Sequence, residues 1–180
     1  MHHRQIFLKG DSIDLVLLTE DYATTLTKWV NDAEVNRFLS MGARPLTDEA
    51  EITFVQNAYK DDTHVVFGIW HKADQKLIGN TGFHQIDQLN QTASFGIVIG
   101  EKEYWNKGVG SEALDVMLSY AFTIRNLRNV TLSVYGSNAR AIACYEKCGF
   151  VRIGTYPQHR FKAGMWQDEH LMVAQNPLYT

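Results

Sequence analysis

Three β-rich runs in succession, followed at once by a glycine pair and a helix, restrict this chain more than any other feature. "HVVFGIW" (64–70), "KLIGNTGFHQID" (76–87) and "TASFGIVIG" (92–100) are dense in β-branched and aromatic residues and are separated by short polar turns. Residues 64–99 therefore read as an antiparallel meander. "SEALDVMLSYAFT" then places apolar residues at 114, 117, 118, 121 and 122, one face of a helix. "VTLSVY" reads as a strand, "NARAIACYEKCGF" as a helix ended by Gly149, and "FVRIGTY" and "DEHLMVA" as closing strands. This mixed order is α+β (mixed α/β): a central, largely antiparallel twisted sheet of six to seven strands flanked by helices.

Upstream, "IFLKGDSIDLVLL" reads as one or two strands around Gly10-Asp11, and "TEDYATTLTKWVND" as a first helix with Thr19 as its N-cap. Asn31 and Glu34 stand at capping-box separation before a short second helix, "VNRFLS". Pro45 breaks the chain and Thr47 opens a third helix, "DEAEITFVQNAYK". No repeat or linker interrupts the 180 residues, so a single domain over 1–180 is expected.

Composition excludes several classes. A net charge of −3 offers no basic face for nucleic acid. No apolar run is long enough to span a bilayer and "MHHRQIFLKGD" lacks a signal-peptide stretch, so a cytoplasmic protein without membrane partners is expected. His2 and His3 read as an unstructured terminus. Cys144 and Cys148 share a helical face without a matching Cys or His pair, so reduced thiols near the core are expected and no metal.

The loop "EYWNKGVGSEAL" (103–114) carries the chemistry. Gly108 and Gly110 let successive N–H groups face one concavity, and the helix from Ser111 adds its unpaired N–H groups and positive dipole end. Asn106 and Lys107 extend the loop, and Lys107 offers a point charge to a phosphate. Glycines also mark ordinary strand–helix turns, so both readings stand at this point. A Walker loop fails, because Ser111-Glu112 follows where Lys-Ser/Thr is needed. A dinucleotide fingerprint matches through Ala113, but it lies in a meander and residues 127–135 hold no acid for a ribose. Further on, Asn138 and Tyr145 lie seven residues apart, close to two helical turns, and share one stripe. They face a common ligand, or else cap the helix and fill the core.

Together, "YWNKGVGSEAL" and "NARAIACYEKCGF" resemble the GNAT (GCN5-related) N-acetyltransferase superfamily, over residues 64–156. "KWVNDAEVNRFL" and "RFKAGMWQDEHLMV" resemble the branch that holds ribosomal-protein N-terminal acetyltransferases and spermidine acetyltransferases. The resemblance implies the GNAT fold and acetyl-CoA as donor, its pyrophosphate on the backbone of Asn106, Lys107, Gly108, Val109, Gly110 and Ser111. It implies that Ile97, Val98 and Ile99 run beside the pantetheine arm, with an N–H near Val98 steadying the thioester carbonyl, and that Asn138 contacts that arm. Tyr145 would protonate the departing thiolate, which suits a phenol of pKa about 10. The first acceptor implied is a protein N-terminal α-amino group; a small amine (spermidine, an aminoglycoside or an amino sugar) and a non-catalytic CoA-binding sensor are the alternatives. A homodimer through an exposed strand edge stays open.

The chain departs from the family pattern twice. Trp105 stands where many members carry Gln or Arg, and the strand before the Asn138 helix holds Ser133 where some carry a catalytic Glu. The base is unassigned, with His84, Glu101 and a water relay as candidates. Asp32 and Glu34 flank the implied acceptor pocket, either holding ammonium groups or forming a solvated helix start. Trp29, Phe38 and Trp166 line that pocket or belong to the core, His84 faces it from the meander, and Asp168 organises the entry to the last strand.

Overall fold

The computed structural model describes residues 4–40 and 44–179, so His2 and His3 lie outside the described residues. The meander forms as the β-rich runs require: β3 (Val65–His71), β4 (Lys76–Asp87) and β5 (Thr92–Ile99) pair antiparallel. The opening run resolves into two strands, β1 (Ile6–Lys9) and β2 (Ile13–Leu17), and β2 pairs with β3. After the meander come β6 (Asn129–Tyr135), β7 (Val151–Lys162) and β8 (Met165–Gln175). The sheet therefore has eight strands, not six to seven, in the order β1-β2-β3-β4-β5-β6-β8-β7. Every pairing is antiparallel except β5 with β6.

The last two strands run far past the expected "FVRIGTY" and "DEHLMVA" because Ala163 (φ 51°) and Gly164 (φ 80°) close a two-residue hairpin. Alanine at a left-handed position is not a turn signal, so that hairpin is hidden in the sequence.

Alternation along the strands sends side chains to two cores. Ile13, Leu15, Val65, Phe67 and Ile69 pack with Ala113, Leu114 and Met117 of α3 (Val109–Ser119). Val16, Leu18 and Val66 point the other way and meet Leu26 and Trp29 of α1 (Ala23–Asn31) and Val55 of α2 (Asp48–Asn57). The fourth helix, α4 (Ala139–Lys147), lays Ala141, Ile142 and Tyr145 against the first core. Helix α3 ends in a π-helical turn, Tyr120–Ile124, within the expected apolar face.

Capping explains the helix starts, with two corrections. Thr47 does cap α2, its side chain accepting from Ala50 N at 3.4 Å. Thr19 makes no side-chain cap; a 3-10 turn, Glu20–Tyr22, precedes α1. The Asn31–Glu34 capping box does not form. Asn31 ends α1 and pairs with the backbone of Leu46, while Asp32 Oδ1 accepts from Glu34 N (2.8 Å) and Val35 N (3.2 Å). Only a 3-10 turn, Asn36–Phe38, follows in place of a second helix. Gly149 ends α4 at φ 89°, as a C′ glycine should.

Trp29 belongs to this frame, not to a pocket. It is 2% exposed, donates from Nε1 to Glu101 Oε1 at 2.8 Å, and lies so close to Gly100 that a Cβ there would sit 2.0 Å from its ring. Gly100→Ala is expected to destabilise the fold by about 2 kcal/mol through overpacking, measured by urea denaturation. An unchanged midpoint would show that the indole has room to move.

Candidate active site

Strand β5 pairs with β6 only at Thr92–Ser94 against Asn129–Thr131. Beyond Ser94 the two strands stop pairing, and β5 keeps only its β4 partner out to Ile99. Strand alternation then decides which backbone groups face the gap. Gly100 N bonds Ile78 O, Gly96 O accepts from Thr81 Oγ1, and Val98 O lies against Gly79, so the even-numbered residues address β4. Ile97 and Ile99 turn their N–H and C=O into the gap. The expected donor near Val98 is thus displaced to its two neighbours.

A cleft of about 710 Å³ fills this gap and reaches the start of α3. Its walls include Ile97, Val98, Ile99, Asn106, Gly108, Val109, Gly110, Ser111, Asn138 and Tyr145, nearly all of the residues expected there. Gly108 caps α3 at φ 85° and Asn106 sits at φ 60°, the left-handed geometry that gathers amides into a concavity. The first-turn amides of Val109, Gly110 and Ser111 precede the helix's own bonding, since Glu112 N is the first to close, on Gly108 O. Glu112, the one acid of that turn, is turned away: Oε1 accepts from Ser12 N at 2.8 Å and Ile13 N at 3.2 Å. The helix end therefore keeps its positive charge for an anion.

Lys107 is exposed, lies with its Nζ 5.6 Å from the Tyr104 ring centroid, and does not line the cleft. Its place is taken by Arg140, whose guanidinium stacks 4.1 Å over Trp105 at the cleft wall. Trp105 is itself pinned by its Nε1 donating to Ile99 O at 2.8 Å. Trp105 thus holds a cation over the loop although it carries none. Asn138 caps α4 by accepting from Ala141 N at 3.3 Å, and it also lines the cleft.

Tyr145 marks the far end. Its ring is held edge-on to Phe95 at 6.5 Å and tilted against Phe150 at 6.0 Å. Burial, with a smaller contribution from Cys144, pushes its phenol well above the ordinary tyrosine value, so it keeps its proton at neutral pH. Cys144 Sγ lies 3.3 Å from Ser111 Oγ, and Cys148 is pushed up to about 12, first by burial and then by Asp115.

A second cavity of about 320 Å³ shares Phe38, Leu39, Ile97, Val98, Ser133 and Tyr145 with the first. It is also lined by His84, Phe54, Tyr135, Arg160 and Glu169. His84 is open to solvent, yet its ring lies over Gly96, and desolvation followed by His64 pulls its pKa below the ordinary value. Glu169 is 6% exposed, and its Oε1 accepts from Ser133 Oγ at 2.7 Å and from Arg160 Nε and Nη2 at 3.0 and 2.8 Å. Burial alone would raise this carboxyl, but the Arg160 and Ser133 hydrogen bonds and the charges of Arg160 and His159 outweigh it and hold it low.

The remaining candidates fall elsewhere. Asp32 and Glu34 both bond Lys102, at 3.0 and 2.9 Å, and only Glu34 reaches the first cleft. Glu101 is held by Trp29 and by Lys76 at 2.5 Å and is not among the residues lining either cavity. Trp166 is exposed on the β7–β8 hairpin against Phe161, whereas Phe38 lines both cavities. Asp168 does order its strand: Oδ1 accepts from Gln158 N at 2.9 Å, fixing the irregularity in β7 that precedes Arg160. Among the described residues no group of His, Cys, Asp and Glu is placed to hold a metal, and no helix is long and apolar enough to cross a membrane.

Residues 13–151 match the family model described as "Acetyltransferase (GNAT) domain". The chain belongs to the GNAT acetyltransferases. It is 25% identical over 173 residues to the uncharacterized N-acetyltransferase YoaA of Bacillus subtilis, covering 94% of this chain and 97% of that one. It is 35% identical over 96 residues to a spermidine N(1)-acetyltransferase of Vibrio cholerae, covering 53% and 55% of the two chains. A solved spermidine N-acetyltransferase chimera built on the V. cholerae enzyme superposes with a TM-score of 0.80 at 26% identity, over 94% of this chain and 98% of that one. The GNAT fold, its mixed sheet and four helices account for the mixed element order of the sequence.

The Glu169 cluster has a stability signature. A carboxyl held low in the folded state stabilises the fold above its unfolded pKa, about 4.3, and loses that contribution as pH falls through the folded value. Glu169→Gln should flatten the loss of urea stability between about pH 5 and pH 2. An unaltered slope would show that the carboxyl titrates alike folded and unfolded.

Proposed function

We propose that this GNAT protein is an acetyl-CoA-dependent N-acetyltransferase whose acceptor is the primary amine of a small molecule. The observation that carries the reading is the meeting of two cavities at the gap between β5 and β6, with Tyr145 on the wall of both. Donor and acceptor each have a compartment, and a proton donor stands where they join.

The donor set suits acetyl-CoA. The amides of Gly108 to Ser111 and the Arg140 guanidinium suit a pyrophosphate, and Arg37 lines the same cleft with its guanidinium 5.2 Å over Phe38. The free N–H groups of Ile97 and Ile99 suit an extended amide arm and a thioester carbonyl. Acetyl-CoA supplies an activated acyl group there. Attack by a neutral amine builds negative charge on the carbonyl oxygen, which fixed N–H donors stabilise without reorganising. The Tyr145 hydroxyl then gives its proton to the departing thiolate. His84, kept neutral by its surroundings and lining the acceptor side, is placed to take the amine's proton.

A protein α-amino terminus is the rival acceptor. The size of the second cavity, about 320 Å³, favours a small molecule over an extended chain, and the similarity to spermidine acetyltransferases points the same way. A mass-resolved transfer screen decides between them, with Ser- and Ala-starting peptides in one arm and small amines in the other. Acetylated small amines are expected; peptides acetylated at the α-amino group would overturn the acceptor.

Two variants test the roles. Tyr145→Phe should lower kcat by about 10²-fold or more with the acetyl-CoA Kd unchanged. If acetyl-CoA binds but neither wild type nor variant turns over any amine, a CoA-binding sensor replaces the enzyme. A Cβ at Gly110 would meet only Ile99 Cγ1 at 3.9 Å, so Gly110→Val leaves the protein packing intact while filling the anion site. Its acetyl-CoA affinity, read by calorimetry, should fall at least tenfold with little change in Tm. Retained affinity would remove the loop from the binding site.

A further inference from the structure

The second cavity holds a carboxylate in an arrangement that sequence spacing does not suggest. Glu169 is on β8 opposite Tyr135 of β6, which lies two residues beyond Ser133. Ser133 lines both cavities, and its hydroxyl reaches Glu169 across the strand pair. The β6 position that lacks an acid of its own is thereby served by one from the neighbouring strand.

The carboxylate is unevenly occupied. All three hydrogen bonds fall on Oε1, while Oε2 has His159 Nε2 at 3.5 Å as its ion-pair neighbour. The Arg160 and Ser133 bonds hold the group ionised, in a cavity whose lining mixes aromatic rings with polar groups such as Asn80, Thr81 and Ser94. Around it stand aromatic walls: Phe54, and Phe38 with Tyr135, whose rings lie 6.3 Å apart. His84, the other titratable base of that wall, is shifted toward its neutral form and does not repel a cation.

The count of charges is what discriminates. A polyamine brings two or more ammonium groups, and each one buried without an anion is costly. Among the described residues Glu169 is the one carboxylate lining this cavity; Arg160 and Ser133 bond its Oε1, so Oε2, with His159 at 3.5 Å, is the oxygen left for a single ammonium. Asp32 and Glu34, the nearest acidic pair by sequence expectation, are both engaged by Lys102 and lie outside it.

From this arrangement we infer that the acceptor is a primary monoamine with an apolar, aromatic body, its ammonium drawn to Glu169 and its ring placed among Phe38, Phe54 and Tyr135. The inference rests on the N-acetyltransferase reading above for its meaning, but not for its test. Glu169 is a positioning residue in this account: it fixes where the amine waits, and the bond to carbon is made at the gap beside Tyr145.

Phenethylamine and spermidine are the probes. Wild-type protein should acetylate phenethylamine with a kcat/KM at least tenfold above that for spermidine. Glu169→Gln should raise the phenethylamine KM at least tenfold while kcat changes less than threefold and the acetyl-CoA Kd stays the same, a split that loss of structure would not produce. Phe54→Ala, at a half-buried wall position outside the first cleft, should raise the same KM and serves if Glu169→Gln does not fold. Calorimetry of phenethylamine on the CoA-loaded protein separates this inference from the reading beneath it. Binding that Glu169→Gln weakens tenfold sustains the acceptor site even where no turnover occurs. Absence of binding, a preference for spermidine, or an unchanged KM in Glu169→Gln overturns it.

Discussion

Everything distinctive about this molecule depends on two strands that begin a parallel pairing and then abandon it. A buried strand edge is costly, because each unpaired N–H or C=O forfeits a hydrogen bond. Three residues of β5 pair with three of β6, after which Ile97 and Ile99 face open space. The fold relieves part of the cost itself: the Trp105 indole satisfies Ile99 O. What remains is a row of donors with a fixed direction, next to a helix whose first amides are also unpaired. Such a gap is stable only if its rims are held apart. Helix α3 and the first core hold one rim, and β6 on the other is paired with β8 along its whole length.

The same gap decides which parts of the site were legible in the sequence. The glycine loop could be read because its elements are consecutive: strand, turn and helix start follow within a dozen residues, and the turn demands glycine at φ 85°. Asn138 and Tyr145 could be read because helical periodicity places them on one stripe. Glu169 could not, since its relation to Ser133 exists only through the β6–β8 register, thirty-six residues apart in the chain. Arg140 was hidden for a different reason. Its role depends on stacking over Trp105, so a residue that looks like the loss of a cation is the platform for one.

Four of the residues weighed for the acceptor side are engaged within the fold, Glu34 among them although it also lines the first cleft. Trp29, Asp32, Glu34 and Glu101 are polar or aromatic groups near the implied acceptor pocket, and each has a partner far along the chain. Trp29 needs Glu101 for its indole N–H; Asp32 and Glu34 need Lys102. A glycine and an acid in sequence, Gly100-Glu101, exist to receive that tryptophan: one leaves room for the ring and the other accepts its proton donor. A charge seen alone in a sequence invites a ligand, but a buried charge has usually been paired within the fold already.

The positions of the two thiols bear on how the acyl group would travel. A covalent route needs a thiolate at the point where donor and acceptor meet. Cys144 adjoins Tyr145 in sequence, yet its sulfur contacts Ser111 at the start of α3, the end of the cleft suited to phosphate. Cys148 lies one turn further on, leans on Ser111 O at 3.7 Å, and is held protonated by burial and Asp115. Tyr145, on the adjoining face of the same helix, is the group that lines both cavities. Consecutive helical positions diverge by about 100°, so a single helix separates the thiols from the reaction point while delivering the phenol to it. That division suits the direct transfer from thioester to amine proposed above, with Tyr145 as the acid at the junction and the acceptor itself as the nucleophile.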